Sequence, residues 1–469
     1  MRRLVAALGV VALLTIPTLP AGAGGQGNGG RDDGRGGGHA DNPPAVEYTV
    51  DTATLPFEAV AGFESSRREW GVLGGAGWRI EIPAEWNGEL VVWAHGYRGT
   101  DTRLYFNPEE VPFRGWLLEH GYAWAASTYS ENDYAVGVAV EDTRRLTNHF
   151  RRVAGERPER IYLAGASMGG HVTAESVERY PRLYDGAMPV CGVVGDYELF
   201  DYFLDVNVTA QQLALGTSQF PAGDDYALVT AQEIKRALEA SPGSWPVALN
   251  NTGQAYKQLV ELRSGGDRPN FDEAWTFWNS FPEFGSGIPG NFLFDLGGGD
   301  GTVGARAGVA VDNKRTVYDT DLIPGLSNQL EEELNDGVVR VRADRWARHD
   351  TRHAPSPEVS GRIRVPVLTL HNLGDLFVPF SMEVEYQANV AAQGRQHLLV
   401  QRAIRGVSHC GFTTAEYEQG FADLVAWVED GVRPEGDPVG DPAAVAAADF
   451  GCRFTDPTPG GHLLAAPCP

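Results

Sequence analysis

Two hydrophobic periods alternate along the first third of the chain. Short apolar runs bounded by turn residues at 89–94 (ELVVWA), 121–127 (GYAWAAS), 160–165 (RIYLAG) and 186–190 read as strands. Between them lie stretches of helical period at 136–153 and 167–180, the second halted by Pro181. Strands separated by helices predict a parallel sheet with helices on both faces. The alternation is lost from about 196 to 360. That stretch holds aromatic helical pieces (198–204, 273–281), an acidic segment (328–337) and a Gly-rich passage at 297–304, GGGDGTVG. It returns at 365–370 (VPVLTL) and 397–404 (HLLVQRAI), with a last helix near 414–430. The economical organisation is one α/β core, 46–195 and 361–432, interrupted by a cap at 196–360. An insertion that long in a compact domain points to a functional role.

The ends read differently. Arg2 and Arg3, an apolar run from Leu4 to Leu19 and the small residues Ala21-Gly22-Ala23 predict an export signal over 1–23. The run is short for a bilayer span. Residues 24–45 are Gly-rich and polar, as a disordered linker is, and 433–469 is a Pro-rich tail. A formal net charge of −24 argues against nucleic acid and against stable association with anionic membrane. Four cysteines, Cys191, Cys410, Cys452 and Cys468, have no zinc-like spacing, and an even number in an exported chain favours disulfides. Cys191 ends a core strand and Cys410 sits in a loop that must reach the same sheet edge. A 191–410 bond is therefore expected, with 452–468 closing a loop in the tail. Three connectivities are open, as is a buried free thiol at Cys191.

Gly165-Ala166-Ser167-Met168-Gly169 fits G-x-S-x-G. In a chain with 58 glycines the pattern alone is weak, but here it joins a strand to a helix, where a nucleophilic serine occupies a strained turn. A serine needs a base, and the base an acidic partner to hold its tautomer. In chain order those are Asp375, closely after the 365–370 strand, and His409, after the 397–404 strand. Of the eleven histidines, only His409 sits where the base is needed. Backbone donors for an oxyanion are the N–H of Met168 and that of Tyr97 in the loop His95-Gly96-Tyr97.

These four segments together resemble the α/β-hydrolase superfamily, over about 46–195 and 360–432. The resemblance implies an eight-stranded, mostly parallel sheet and hydrolysis of an acyl bond through an acyl-enzyme, with neither metal nor cofactor. A cysteine beside the histidine is similar to a feature of tannases, which tie it to a cysteine beside the nucleophile; here Ala166 precedes Ser167. The implied substrate is a small-molecule or polymeric ester. An amide or peptide substrate and acyl transfer to an alcohol share every residue, and a non-catalytic binding protein is the rival of another class. Dehalogenation would want a carboxylate at 167. Trp275, Phe277, Trp278 and Phe281 either line an apolar pocket or form the cap's own core. The 297–304 passage reads as a loop and not a calcium site.

Overall fold

A computed structural model describes residues 46–469 apart from 224, 243–246, 280–293, 295, 307, 321–326, 350, 352 and 466. The expected signal (1–23), the linker (24–45) and Phe281 lie outside the described residues.

Eight strands build one sheet. They are β1 (Arg67–Leu73), β2 (Ala76–Ile82), β3 (Glu89–Ala94), β4 (Ala123–Ser127), β5 (Arg160–Ala166), β6 (Gly186–Val190), β7 (Val367–Asn372) and β8 (Leu399–Ile404). Their spatial order is β1-β2-β4-β3-β5-β6-β7-β8. β2 runs antiparallel to both β1 and β4, and every pairing from β4 to β8 is parallel. The mostly parallel, eight-stranded sheet expected from the sequence is present. The β1–β2 hairpin was not among the expected strands, yet it has a local signal. Gly74 and Gly75, with φ of 62° and 90°, form a two-residue turn that only left-handed backbone can make at low cost.

The central strands read as continuous apolar runs because both faces are covered. In β3, Leu90, Val92 and Ala94 enter one apolar layer, while Val91 and Trp93 enter the other. The first layer is closed by helices Val136–Ala154 and Met168–Arg179, the second by Arg114–Glu119 and Thr414–Asp430. Local chemistry sets the ends of these helices. Gly155 and Gly431 end two of them in left-handed backbone, and Thr413 with Glu416 forms a reciprocal capping box on the last.

Between β6 and β7 the chain makes a helical insertion: Glu198–Leu215, Ala231–Leu238, Asn251–Arg263, Phe271–Asn279 and Ser327–Gly337. Its apolar core includes Tyr202, Tyr256, Trp275, Phe277 and Trp278, and continues into Leu376 and Val407 beneath it. The aromatic residues at 275, 277 and 278 are therefore core. In the 297–304 passage Asp300 caps its own turn, accepting from the Thr302 N–H at 3.0 Å and hydroxyl at 2.7 Å. The tail packs back on β8 through buried Arg405, which donates to the carbonyls of Phe450 (3.0 Å) and Pro467 (2.9 Å). Both expected disulfides are formed: Cys191–Cys410 and Cys452–Cys468. Among the described residues, no helix is long and apolar enough to cross a membrane.

Candidate active site

β5 runs straight into the helix Met168–Arg179, and Ser167 is the hinge between them, at φ 60° and ψ −124°. That left-handed conformation is costly for a residue with a Cβ. It is over-determined by the neighbours: the Ser167 N–H donates to Val190 O of β6 at 3.0 Å, and the Ser167 carbonyl accepts from Gly170 N at 2.8 Å. The small residues of the motif have a steric cause. A Cβ on Gly169 would overlap the Ala94 carbonyl, and one on Gly165 would overlap the Gly169 carbonyl. The turn lifts the serine hydroxyl above the carboxyl ends of β5 and β6.

Asp375 lies three residues beyond β7 and is fully buried. Its Oδ1 accepts the N–H groups of Phe377 (2.9 Å) and Val378 (3.0 Å), which aims Oδ2 outward. That oxygen is 2.6 Å from His409 Nδ1, and His409 Nε2 is 2.8 Å from Ser167 Oγ. The three residues named from the sequence, separated by up to 242 positions, thus form one hydrogen-bonded line. With Asp375 ionised, His409 Nδ1 carries the proton, leaving Nε2 with a lone pair toward the serine.

The other buried histidines are committed elsewhere. His171 is bridged between the Tyr134 hydroxyl (2.9 Å) and the Pro357 carbonyl (2.8 Å), and burial pushes it down to about 4. His371 pairs with Glu383 at 3.3 Å and the Val378 carbonyl at 2.9 Å. His95 stacks on Tyr129 at 4.0 Å, and burial holds it neutral, well below the usual imidazole range.

His95 also helps shape the loop after β3. The Tyr129 hydroxyl donates to its carbonyl at 3.0 Å, and its Nδ1 is 2.6 Å from Gly96 O. Gly96 is pressed against the elbow, where a Cβ would stand 3.1 Å from Ser167 Cβ. The Gly96–Tyr97 peptide therefore runs alongside the serine. Met168 is the first residue of its helix, so its N–H has no acceptor within the helix. Gly96, which precedes Tyr97, and Met168 thus both adjoin Ser167.

The connectivity and this elbow decide the architecture, with Asp375 following β7 and His409 following β8. The fold is that of the α/β-hydrolases. No family model matches the chain. The o-phthalyl amidase of Xanthobacter agilis is 24% identical over 409 residues, covering 78% of this chain and 87% of that one. Among solved structures, the tannin acyl hydrolase of Aspergillus niger is 14% identical, with a TM-score of 0.41 over 81% of this chain and 86% of that one. The acylaminoacyl peptidase of Pyrococcus horikoshii is 12% identical, with a TM-score of 0.34 over 73% of this chain. The present chain spans 37% of that peptidase's length.

Sequence reasoning did not foresee which aromatic residues stand at this candidate site. Phe377, two residues past the acid, meets the His409 ring edge to face at 5.3 Å. Phe203 from the insertion stacks on Phe377 at 5.6 Å, and Phe200 packs against Phe203 at 6.1 Å. All three are only partly buried. No short-range pattern brings position 203 to position 377. Among the described residues, one group of metal-ligating side chains is close enough to share an ion: Cys191, His409 and Cys410. Its two sulfurs are bonded to each other, so they present no thiolate.

Proposed function

We propose that this chain is an exported serine hydrolase that cleaves a carboxylic ester through an acyl-enzyme on Ser167. The observation carrying this reading is the unbroken line Ser167–His409–Asp375 at 2.8 and 2.6 Å. Ser167 Oγ attacks the carbonyl carbon while His409 Nε2 takes its proton. Asp375 holds the imidazole in the required tautomer and stabilises the imidazolium. The N–H groups of Met168 and Tyr97 take the developing oxyanion, a contribution of ~3–4 kcal/mol per donor in sites of this kind. Collapse expels the alcohol with the proton from His409. Water then attacks the acyl-enzyme with His409 again as base, releasing the acid. This chemistry needs no metal or cofactor. The partly open aromatic row Phe200, Phe203 and Phe377 beside His409 supports an acyl group with an aromatic face. The leader at 1–23 and the two disulfides support export. The acidic surface supports a neutral small-molecule or polymeric substrate over nucleic acid or membrane.

A second reading, hydrolysis of an aryl amide with the same residues, is favoured by the likeness to a protein named o-phthalyl amidase. Matched p-nitrophenyl esters and p-nitroanilides of benzoic, phthalic and short aliphatic acids separate the two. The ester reading expects kcat/KM at least 10-fold higher on the esters than intrinsic leaving-group reactivity explains. A fluorophosphonate should label Ser167 in the parent. Absence of labelling in folded protein would leave a binding protein and not an enzyme.

A further inference from the structure

The acid loop is held from above as well as below. Three buried side chains of the insertion, Tyr202, Arg268 and Trp278, donate to three backbone carbonyls that bracket Asp375. Arg268 Nε reaches Leu373 O at 2.7 Å, Trp278 Nε1 reaches Gly374 O at 2.9 Å, and the Tyr202 hydroxyl reaches Leu376 O at 3.1 Å. The Trp278 N–H has a second acceptor, Val407 O, also at 2.9 Å, and Val407 lies two residues before His409. One indole donor thus spans the acid loop and the base loop. The loops also touch directly, Gly374 N donating to Gly406 O at 2.8 Å. No room is left between them: a Cβ on Gly374 would come within 2.8 Å of Ala274 Cβ, Gly406 O and Val407 Cα alike.

A single N–H shared between two carbonyls keeps both bonds only at one separation of those carbonyls. Loss of that donor leaves two buried acceptors unpaired, and the loops relax apart to find other partners. The bond between Asp375 and His409 crosses that gap, and a hydrogen bond to an ionised group is sensitive to small displacements. From this geometry we infer that Trp278 is a positioning residue. Its indole N–H fixes the spacing of the acid and base loops, with Arg268 and Tyr202 fixing the carbonyls on either side. The insertion is therefore part of the frame that aligns the base and not a detachable lid. The inference rests on the triad reading above.

Trp275 provides the internal control. It sits one turn earlier on the same helix, is equally buried, and its indole N–H has no acceptor among the described residues. Trp278→Phe keeps an aromatic ring and removes the shared donor; Trp275→Phe removes a donor that holds nothing. The expected outcome for Trp278→Phe is a kcat lower by ~10- to 100-fold with KM within ~3-fold, as for misplacement of catalytic groups by about an ångström. For Trp275→Phe both constants should stay within ~3-fold of the parent. Equal losses in the two variants, or an unchanged Trp278→Phe, would overturn the inference. Should Trp278→Phe not fold, 3-benzothienylalanine at 278 keeps the bicyclic shape with sulfur in place of N–H, and the same loss is expected. An activity-free readout separates this inference from the functional one. The low-field NMR proton between His409 and Asp375 should broaden or shift in the 278 variants and not in Trp275→Phe. If the parent shows no Ser167-dependent hydrolysis, the functional reading fails and the NMR comparison alone decides the role of Trp278.

Discussion

Cys191 and Cys410, 219 positions apart in the chain, are joined by a disulfide with Cα atoms 5.3 Å apart. Cys191 follows β6, whose Val190 carbonyl accepts from the N–H of Ser167. Cys410 follows the base. The bond therefore ties the His409 loop to the strand beside the elbow, so Ser167 and His409 share a covalently closed frame.

Removing that bond should hurt catalysis as well as stability. Replacing both cysteines, Cys191→Ser with Cys410→Ser, avoids leaving a lone thiol beside the imidazole. Loss of a native disulfide in an exported domain costs roughly 2–5 kcal/mol, and kcat is expected to fall by at least ~10-fold as His409 loses its tether. Cys452→Ser with Cys468→Ser opens the loop that the other disulfide closes in the tail, a bond flanking neither Ser167's neighbouring strand nor His409, and should lower melting temperature with a smaller change in kcat. Equal effects on kcat from the two double variants would refute the positioning role.

The triad makes its own demands. Ser167→Ala should lower kcat by about 10⁴- to 10⁶-fold with the fold intact, since alanine at φ 60° bears the same strain as serine. Asp375→Asn should cost ~10⁴-fold, because an amide cannot hold the imidazole tautomer as a carboxylate does. Near-parental turnover in either folded variant, measured against the best ester found, would sink the assignment.

What the sequence disclosed and what it withheld divide along range. The elbow, the acid and the base each carry local chemistry, a strand end followed by a turn with a distinctive polar residue, and Ser167, Asp375 and His409 were legible for that reason. β3 and β6 were legible to the residue, because continuous apolar runs bounded by turns have one reading in a parallel sheet. The β1–β2 hairpin escaped although Gly74-Gly75 marks it. The helix Ser381–Ala392 escaped because its apolar positions form no clear face. The parallel pairing of Thr49–Val50 with Arg103–Leu104 is two residues long and has no pattern to read. Contacts such as Trp278 to Val407 or Phe203 to Phe377 join positions more than 125 residues apart by tertiary packing, and one sequence holds no trace of them.

Stability should depend on pH through Asp196, in the turn after β6. Its carboxylate accepts N–H groups of Tyr197 and Val359, but burial dominates and lifts it to about 7, with Glu358 and Glu198 adding in the same direction. A raised carboxyl holds its proton in the folded chain where the unfolded chain has released it. Its contribution to stability therefore falls as pH rises from about 4 to about 7 and is level above that. Melting temperatures of the parent and of Asp196→Asn, taken from pH 5 to pH 8, isolate the effect: their difference should shift in favour of the variant as pH rises. A difference independent of pH would show that Asp196 does not titrate in this window.

The aromatic row predicts selectivity for the acyl group. Phe203 stacks on Phe377 but does not itself reach His409, so Phe203→Ala should leave the triad undisturbed while opening the wall that an aryl group would meet. An apolar contact of this size is worth ~1–3 kcal/mol in discrimination, about 10- to 200-fold in kcat/KM. The expected result is a loss in that range on benzoyl and phthaloyl esters against less than ~3-fold on acetyl esters. Stacking adds directionality to the apolar burial, so Phe203→Leu, which restores bulk without the ring, should recover only part of the loss. Equal losses on aryl and acetyl esters would mean that Phe203 supports the fold of the insertion and not the substrate.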